Sequence, residues 1–243
     1  MPPGVDIPGP LLDQLALAFG RRPAPQDLIP LKVGGSGHAN VYRQEIGGQA
    51  WVIKEFHSRP WFLRHTLGRF LIRREARVLA HLDGIAGVPG GGRRLGPVAL
   101  AEAFIAGDTL VQWHREKRGK LPKAFFLDME RLVADMHRAG YAHLDLRNLR
   151  NIICARDGHP YFLDFQSSIR TAFCPGWIRR IMENTDRSSV CKAWLKLCAE
   201  PLDPGRAALL QRFNGIRKLW IFEGYWLAKR QKKWAAQRRP PDP

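Results

Sequence analysis

An α+β fold follows from three features of this 243-residue chain. Residues 31–56, LKVGGSGHANVYRQEIGGQAWVIKEF, read as three strands broken by glycine turns at Gly34–Gly37 and Gly47-Gly48. Residues 67–82 and 125–139 carry apolar side chains at helical spacing. Residues 141–166 read as a loop leading into two short apolar strands joined at Asp157-Gly158. A small β-rich front part, residues 31–105, therefore precedes a reduced helical part, residues 106–228. A loosely attached lead-in, 1–30, and a basic tail, 229–243, flank them.

Each element has a local reason. Residues 1–30 are rich in proline and glycine around one short amphipathic piece, Leu11–Phe19. In the third strand Lys54 interrupts a run that is otherwise apolar on one side; it is either an interior cation or an ordinary surface lysine. The stretch HSRPWFLRHTLGRF interleaves Arg59, Arg64 and Arg69 with Trp61, Phe62 and Phe70. That mixture suits an anionic lipid interface, or a charged loop whose aromatics pack inward. The following helix has Phe70, Leu71, Val78, Leu79 and Leu82 as its apolar stripe, with Glu75 inside it. Pro97–Ile105 reads as an apolar strand, and Phe125–Ala139 as an amphipathic helix that Gly140 terminates. Beyond Gln166 the motifs thin out. Arg206–Arg239 holds ten Lys/Arg and one acid, Glu223, among many aromatics. Ala207–Leu227 reads as core, and Lys229–Arg239 as facing solvent or a membrane.

Composition narrows the classes of partner. The 39 Lys/Arg against 22 Asp/Glu give a net charge of +17. Such an excess favours a polyanion: an anionic membrane surface, a phosphorylated glycolipid or, ranked lower, nucleic acid. Cys154, Cys174, Cys191 and Cys198 form no C-x-x-C pair, so they read as reduced thiols and not as a disulfide frame or zinc site. The N-terminal residues do not resemble a signal peptide, and no apolar run approaches the ~18 residues of a membrane span. A cytoplasmic protein is expected, able to sit at the inner face of the cytoplasmic membrane. Oligomeric state is not legible.

The chemistry concentrates in YAHLDLRNLRNIICARDGHPYFLDFQ, residues 141–166. The hairpin brings Asn151 and Asp164 together beside Asp145. Two of these oxygen-bearing side chains, Asn151 and Asp164, suit a hard cation such as Mg²⁺. The third, Asp145, is left to orient an attacking hydroxyl, which is the layout of phosphoryl transfer.

In these residues the chain resembles the protein-kinase superfamily. HLDLRNLRN is similar to the catalytic loop H-R-D-x-x-x-x-N, and DFQ to D-F-G. Six residues separate Asp145 from Asn151 where the family has about five, so the loop carries one extra residue and Asn148 is a rival metal ligand. The glycine turn, lysine strand, glutamate helix, hinge-like strand, HLD loop and DFQ follow in the family's order over about residues 31–170. The resemblance implies a bilobal protein-kinase-like fold with a small β-rich N-lobe and a reduced α-helical C-lobe. It implies ATP and Mg²⁺ as cofactors, with Gly34, Gly35, Ser36 and Gly37 over the phosphates. Counted back from Val41, the family's second and third glycines fall on Ser36 and Ala39. Lys54 would grip the α- and β-phosphates and pair with Glu75, while backbone groups near Glu102 and Phe104 would take adenine. Asp145 would be the catalytic base. Arg147, or its rival Arg150, would steady the moving phosphoryl group.

Departures from the family pattern shape the expected acceptor. Leu144 replaces the arginine that reads a phosphorylated activation loop, Gln166 replaces the glycine after Asp-Phe, and A-P-E is missing. In these respects the chain looks like the compact bacterial branch, which includes lipopolysaccharide core kinases, Kdo kinases and Rio-type kinases. The first expectation is a kinase of a sugar hydroxyl on a membrane glycolipid. The alternatives are a Rio-like serine/threonine protein kinase or ATPase, and a non-catalytic ATP-binding or membrane-docking module.

Overall fold

A computed structural model describes residues 7–34 and 37–219, with side chains as far as Phe213. The chain is mixed α+β and divides after Leu202 into two units.

In the first unit, helix α1 (Gly9–Phe19) precedes strands β1 (Ile29–Lys32), β2 (Asn40–Ile46) and β3 (Gln49–Glu55). A helical stretch follows: one turn, α2 (Trp61–Leu63), a π-type turn at Arg64–Gly68, then α3 (Arg69–Leu82). Next come β4 (Arg93–Gly96) and β5 (Ala99–Ala103), which complete a five-stranded antiparallel sheet in the order β1-β2-β3-β5-β4.

Both faces of that sheet are covered, and strand alternation decides what each receives. Trp51, Ile53, Ala99 and Ala101 point to one side, where Leu11, Leu12 and Leu15 of α1 bury against them. The lead-in is therefore not loose: its amphipathic piece is the outer layer of the sheet. Three buried leucines outweigh the proline-rich flanks, at about 1.5–3 kcal/mol each. The opposite face carries Leu100 against Ile72, Val78, Leu79 and Leu82 of α3. Phe70, expected in that apolar stripe, is 59% exposed instead. It sits on the helix face turned from the sheet. Trp61 and Phe62 are also exposed, so the aromatics of this arginine-rich stretch do not pack inward.

After the sheet come β6 (Gly107–Thr109), α4 (Leu110–Arg115), α5 (Lys123–Arg138), β7 (Tyr141–Ala142), β8 (Ile152–Ala155), β9 (Pro160–Phe162), β10 (Ile169–Arg170) and α6 (Gly176–Leu197). The expected hairpin is β8–β9, with β6 added on its other edge, and β7 pairs with β10. Helix α5 ends at Gly140, whose φ of 80° needs a residue without Cβ. Phe125, Phe126, Met129, Leu132, Val133 and Met136 of α5 bury in the same cluster as α3, so one core runs from the sheet into the helical part. No described helix is long and apolar enough to cross a membrane.

The second unit, as described, is α7 (Pro204–Leu219). Asp203 caps it by accepting from the Arg206 N–H, with Pro204 at the first helical position. Residues 220–228 of the expected C-terminal part and the tail at 229–243 lie outside the described residues.

Candidate active site

Lys54 is the first residue the structure moves from ambiguity to a definite place. It lies on the α3 side of β3 and is 7% exposed, so it is not a surface lysine. Its Nζ meets Glu75 Oε1 at 2.5 Å and Glu102 Oε1 at 2.9 Å. The second contact follows from register. Lys54 pairs with Leu100 and Val52 with Glu102, which puts Glu102 diagonal to Lys54 on the same sheet face. Burial opposes the ammonium charge, but Glu102, Glu75 and then Asp164 outweigh it, and the net effect raises the Lys54 pKa. Burial also pushes the Glu75 carboxyl up to about 7, although Lys54 opposes that rise. Gln166 Nε2 donates to the other oxygen of Glu75 at 3.0 Å.

The catalytic-loop candidates sit between β7 and β8. Asn151 is buried and its Nδ2 donates to Asp145 Oδ2 at 2.8 Å and to the Asp145 carbonyl at 3.1 Å. This orientation turns Asn151 Oδ1 away from Asp145. Asn148 is exposed and its Oδ1 accepts from Arg150 N–H at 3.3 Å, closing its own turn. Asn151 is thus tied to Asp145 by two hydrogen bonds, and Asn148 stands beside both: its side chain also bears on Asp145, and its Nδ2 donates to Asn151 Oδ1 at 3.4 Å. Burial raises the Asp145 pKa against the Asn151 hydrogen bond. Arg147 is half-buried on this loop, while Arg150 is exposed.

Two residues here adopt left-handed backbone without being glycine: Leu144 at φ 67° and Asp164 at φ 61°. Such strain persists only where surroundings enforce it. For Leu144 the enforcing group is Asp186 of α6. Its buried carboxylate accepts from His143 N–H and Leu144 N–H, each at 2.8 Å, and bonds His137 Nε2 at 3.0 Å. His143 braces the other side, with Nε2 at 3.0 Å from the Leu163 carbonyl and Nδ1 accepting from Asp145 N–H at 3.3 Å. Both contacts are met by the neutral Nε2–H tautomer, and burial lowers the His143 pKa accordingly.

Asp164 follows β9. Its Oδ1 is buried with no hydrogen-bond partner among the described residues. Its charge bears on Lys54, Glu75 and Asp145 alike, which places all four in one electrostatic neighbourhood. Lys54 thus faces three carboxyl groups, Glu102, Glu75 and Asp164, and Asp145 adds a fourth through its coupling to Asp164. That deficit of positive charge and the orphaned Asp164 oxygen fit a hard divalent cation held by oxygen; Asn151 Oδ1 meets only the long 3.4 Å contact from Asn148 Nδ2, which a cation would replace.

Other expected residues fall elsewhere or elsewhere in role. Gly35 and Ser36 lie outside the described residues. Gly34 and Gly37 have φ near 89° and 87°, which suits their glycine turn. Gly34 N–H donates to Asn40 Oδ1 at 3.2 Å, and Asn40 is tied in turn to buried Glu55 at 2.7 Å. Glu102 is buried and its side chain meets Lys54. Phe104 N–H donates to the Ala50 carbonyl at 2.9 Å, extending the β3–β5 ladder, so that donor is not offered to a base.

Asp186 was not anticipated from sequence, although a signal exists. It stands four residues before Val190 and eight before Trp194, on the buried face of α6. A carboxylate at a core position of a helix calls for buried donors. No model of a known protein family matches this chain, and no curated protein gives a significant match.

Proposed function

We propose that this chain is an ATP-dependent phosphotransferase of bilobal, protein-kinase-like architecture that moves the γ-phosphoryl group to a hydroxyl. The observation that carries the reading is the convergence of Lys54, Glu75, Asp164 and the loop pair Asp145 and Asn151 from four separate segments onto one largely buried, strained site. A structural ion-pair network alone gives no reason for an orphaned Asp164 oxygen or for two left-handed non-glycine residues flanking it.

Asn151 Oδ1 and Asp164 would hold Mg²⁺. When bound, the ion supplies charge neutralisation on the phosphate oxygens. Lys54, kept cationic by its carboxylates, offers its remaining N–H donor to phosphate. Asp145 accepts the proton of the acceptor hydroxyl. The acceptor oxygen forms its bond to γ-phosphorus as the bond to the ADP oxygen breaks, so ADP leaves with that electron pair. Asn151 fixes Asp145 and Asp186 fixes the loop, so positioning and charge placement carry most of the rate.

The acceptor we favour is a sugar hydroxyl of a lipopolysaccharide or related anionic membrane glycolipid. Its support is the exposed pairing of aromatics with arginines at Trp61, Phe62 and Phe70, and the net charge of +17. Only residues 171–175 connect β10 to α6, which leaves little chain to shape a peptide groove.

The test uses the full chain, ATP radiolabelled on its γ-phosphate and a cell-envelope extract resolved into lipid and protein fractions. Label in the lipid fraction is expected. Label confined to protein would replace the acceptor, and no turnover of ATP would end the enzyme reading. Asp145→Asn should lower transfer by about 10²–10⁴-fold while ATP still binds. Full turnover in that variant would remove Asp145 from the mechanism.

A further inference from the structure

A second cavity, of about 320 Å³, opens between α3 and β10. Its lining includes Phe70, Arg73, Arg77, Tyr141, Ser168 and Arg170, none of which belongs to the site described above. The volume is at the small end of ligand pockets, roughly 300–1,000 Å³.

None of its four arginines has a carboxylate partner among the described residues. Arg73, Arg77 and Arg170 are exposed, and none forms an ion pair with a carboxylate among the described residues. Three like charges around one opening repel one another unless an anion sits between them. Arg74, beside them, is already committed: its guanidinium donates to the Ser168 carbonyl at 2.7 Å and the Ser167 carbonyl at 3.1 Å. Two of the lining residues, Tyr141 and Ser168, are each only 2% exposed, and their hydroxyl oxygens are buried. Neither has a hydrogen-bond partner among the described residues. Buried hydroxyls left unpaired are costly and uncommon in folded proteins. Two of them lining one cavity beneath unpaired arginines point to an absent acceptor. Guanidinium forks match tetrahedral oxyanions bidentately, and hydroxyls complete such a shell as donors.

We propose that this cavity binds a phosphate monoester. The arginines of α3 and Arg170 of β10 hold its oxygens from two elements, and the Tyr141 and Ser168 hydroxyls donate from below. Phe70 forms one wall, and Phe173, 81% exposed, stacks under Arg170 with the guanidinium 4.9 Å from the ring centre. The mouth is thus lined for whatever organic body carries the phosphate. The ligand bridges α3 to the strand that follows Asp164.

The proposal is independent of phosphoryl transfer, so binding is its readout. Titration calorimetry of the full chain with a soluble sugar phosphate forms one arm. Co-sedimentation with phosphatidylcholine vesicles, with and without phosphatidic acid, forms the other. Saturable binding in the first arm identifies a free ester as a ligand; binding confined to the second identifies a lipid headgroup. Arg73→Glu with Arg77→Glu should weaken binding by ~100-fold, and Tyr141→Phe by about tenfold, the worth of one hydrogen bond to a charged group. Because the Tyr141 hydroxyl has no protein partner, Tyr141→Phe should keep the parent melting temperature, and Ser168→Ala provides a second neutral probe. The charge-matched control, Arg94→Glu with Arg156→Glu, should bind as the parent does. The proposal is overturned if neither arm shows binding, if the control loses as much as the pocket pair, or if both hydroxyl variants bind like the parent.

Discussion

Lys54 shows how much a single buried cation can organise. Two carboxylates, Glu75 and Glu102, compete for one ammonium, and burial makes it unfavourable for both to stay ionised alongside Asp164. Glu75 yields, with its carboxyl near 7 against an unfolded value of 4.5. Between those values the folded state holds a proton that the unfolded state has released. Its contribution to stability is complete below about 4.5 and is lost as pH rises through about 7. Buried His143, kept neutral, works in the opposite direction, so the raw profile mixes the two. Comparison with Glu75→Gln isolates the first. Thermal melts of the two proteins from pH 5 to 8 should show the parent losing ground relative to Glu75→Gln as pH rises. Parallel curves would mean that Glu75 is ionised throughout. In the mechanism we propose, Asp145, also shifted upward by burial, must be deprotonated to act as base, so transfer should climb with pH through its pKa and level off.

Among the elements, α6 carries the heaviest duty toward the loop it never joins in sequence. One carboxylate, Asp186, satisfies two backbone N–H groups and a histidine, and so holds His143-Leu144 in the strained conformation that presents Asp145. Asp186→Ala leaves two buried N–H groups unpaired, which costs roughly 1–3 kcal/mol for each. Denaturant unfolding should register a loss of about 2–6 kcal/mol, whereas Asp186→Asn, which keeps one acceptor oxygen, should lose less. Equal stability in Asp186→Ala and the parent would show the loop to be self-supporting. Helix α3 has a similar role toward the segment after Asp164. Glu75 holds Gln166 and Arg74 holds the Ser167 and Ser168 carbonyls, so the segment is pinned to the helix at two points. A glycine at position 166 could make no such bond.

The first unit buries two hydrophobic clusters on opposite faces of one sheet, and β5 contributes to both, Leu100 to one and Ala99 and Ala101 to the other. Damage on the α1 side should therefore be felt across the unit. Leu15, fully buried in α1, is far from every candidate catalytic group in the fold's layering, yet Leu15→Ala should cost about 2–5 kcal/mol. Calorimetry should show the transition of residues 7–202 shifting as one peak. A separate low-temperature transition would mean that α1 melts alone, as its proline-rich flanks first suggest.

Strands, helices and the β8–β9 hairpin were legible because their signals are local: alternation along β3, helical spacing along α5, a glycine at each sharp turn. The short spacings among Asp145, Asn151 and Asp164 were legible for the same reason, since one loop and one hairpin bring them together. Amphipathic spacing could not say that Phe70 faces outward, because both faces of α3 carry large apolar residues and only packing chooses between them. Nor could it assign Glu102 to Lys54, a pairing set by the register of two strands 48 residues apart, or Asp186 to the loop, a contact spanning 42–43 residues. Periodicity and turn chemistry act over a few neighbouring residues, so they fix which elements form. Which buried charge meets which partner depends on how those elements pack, and that is settled only when the chain closes on itself.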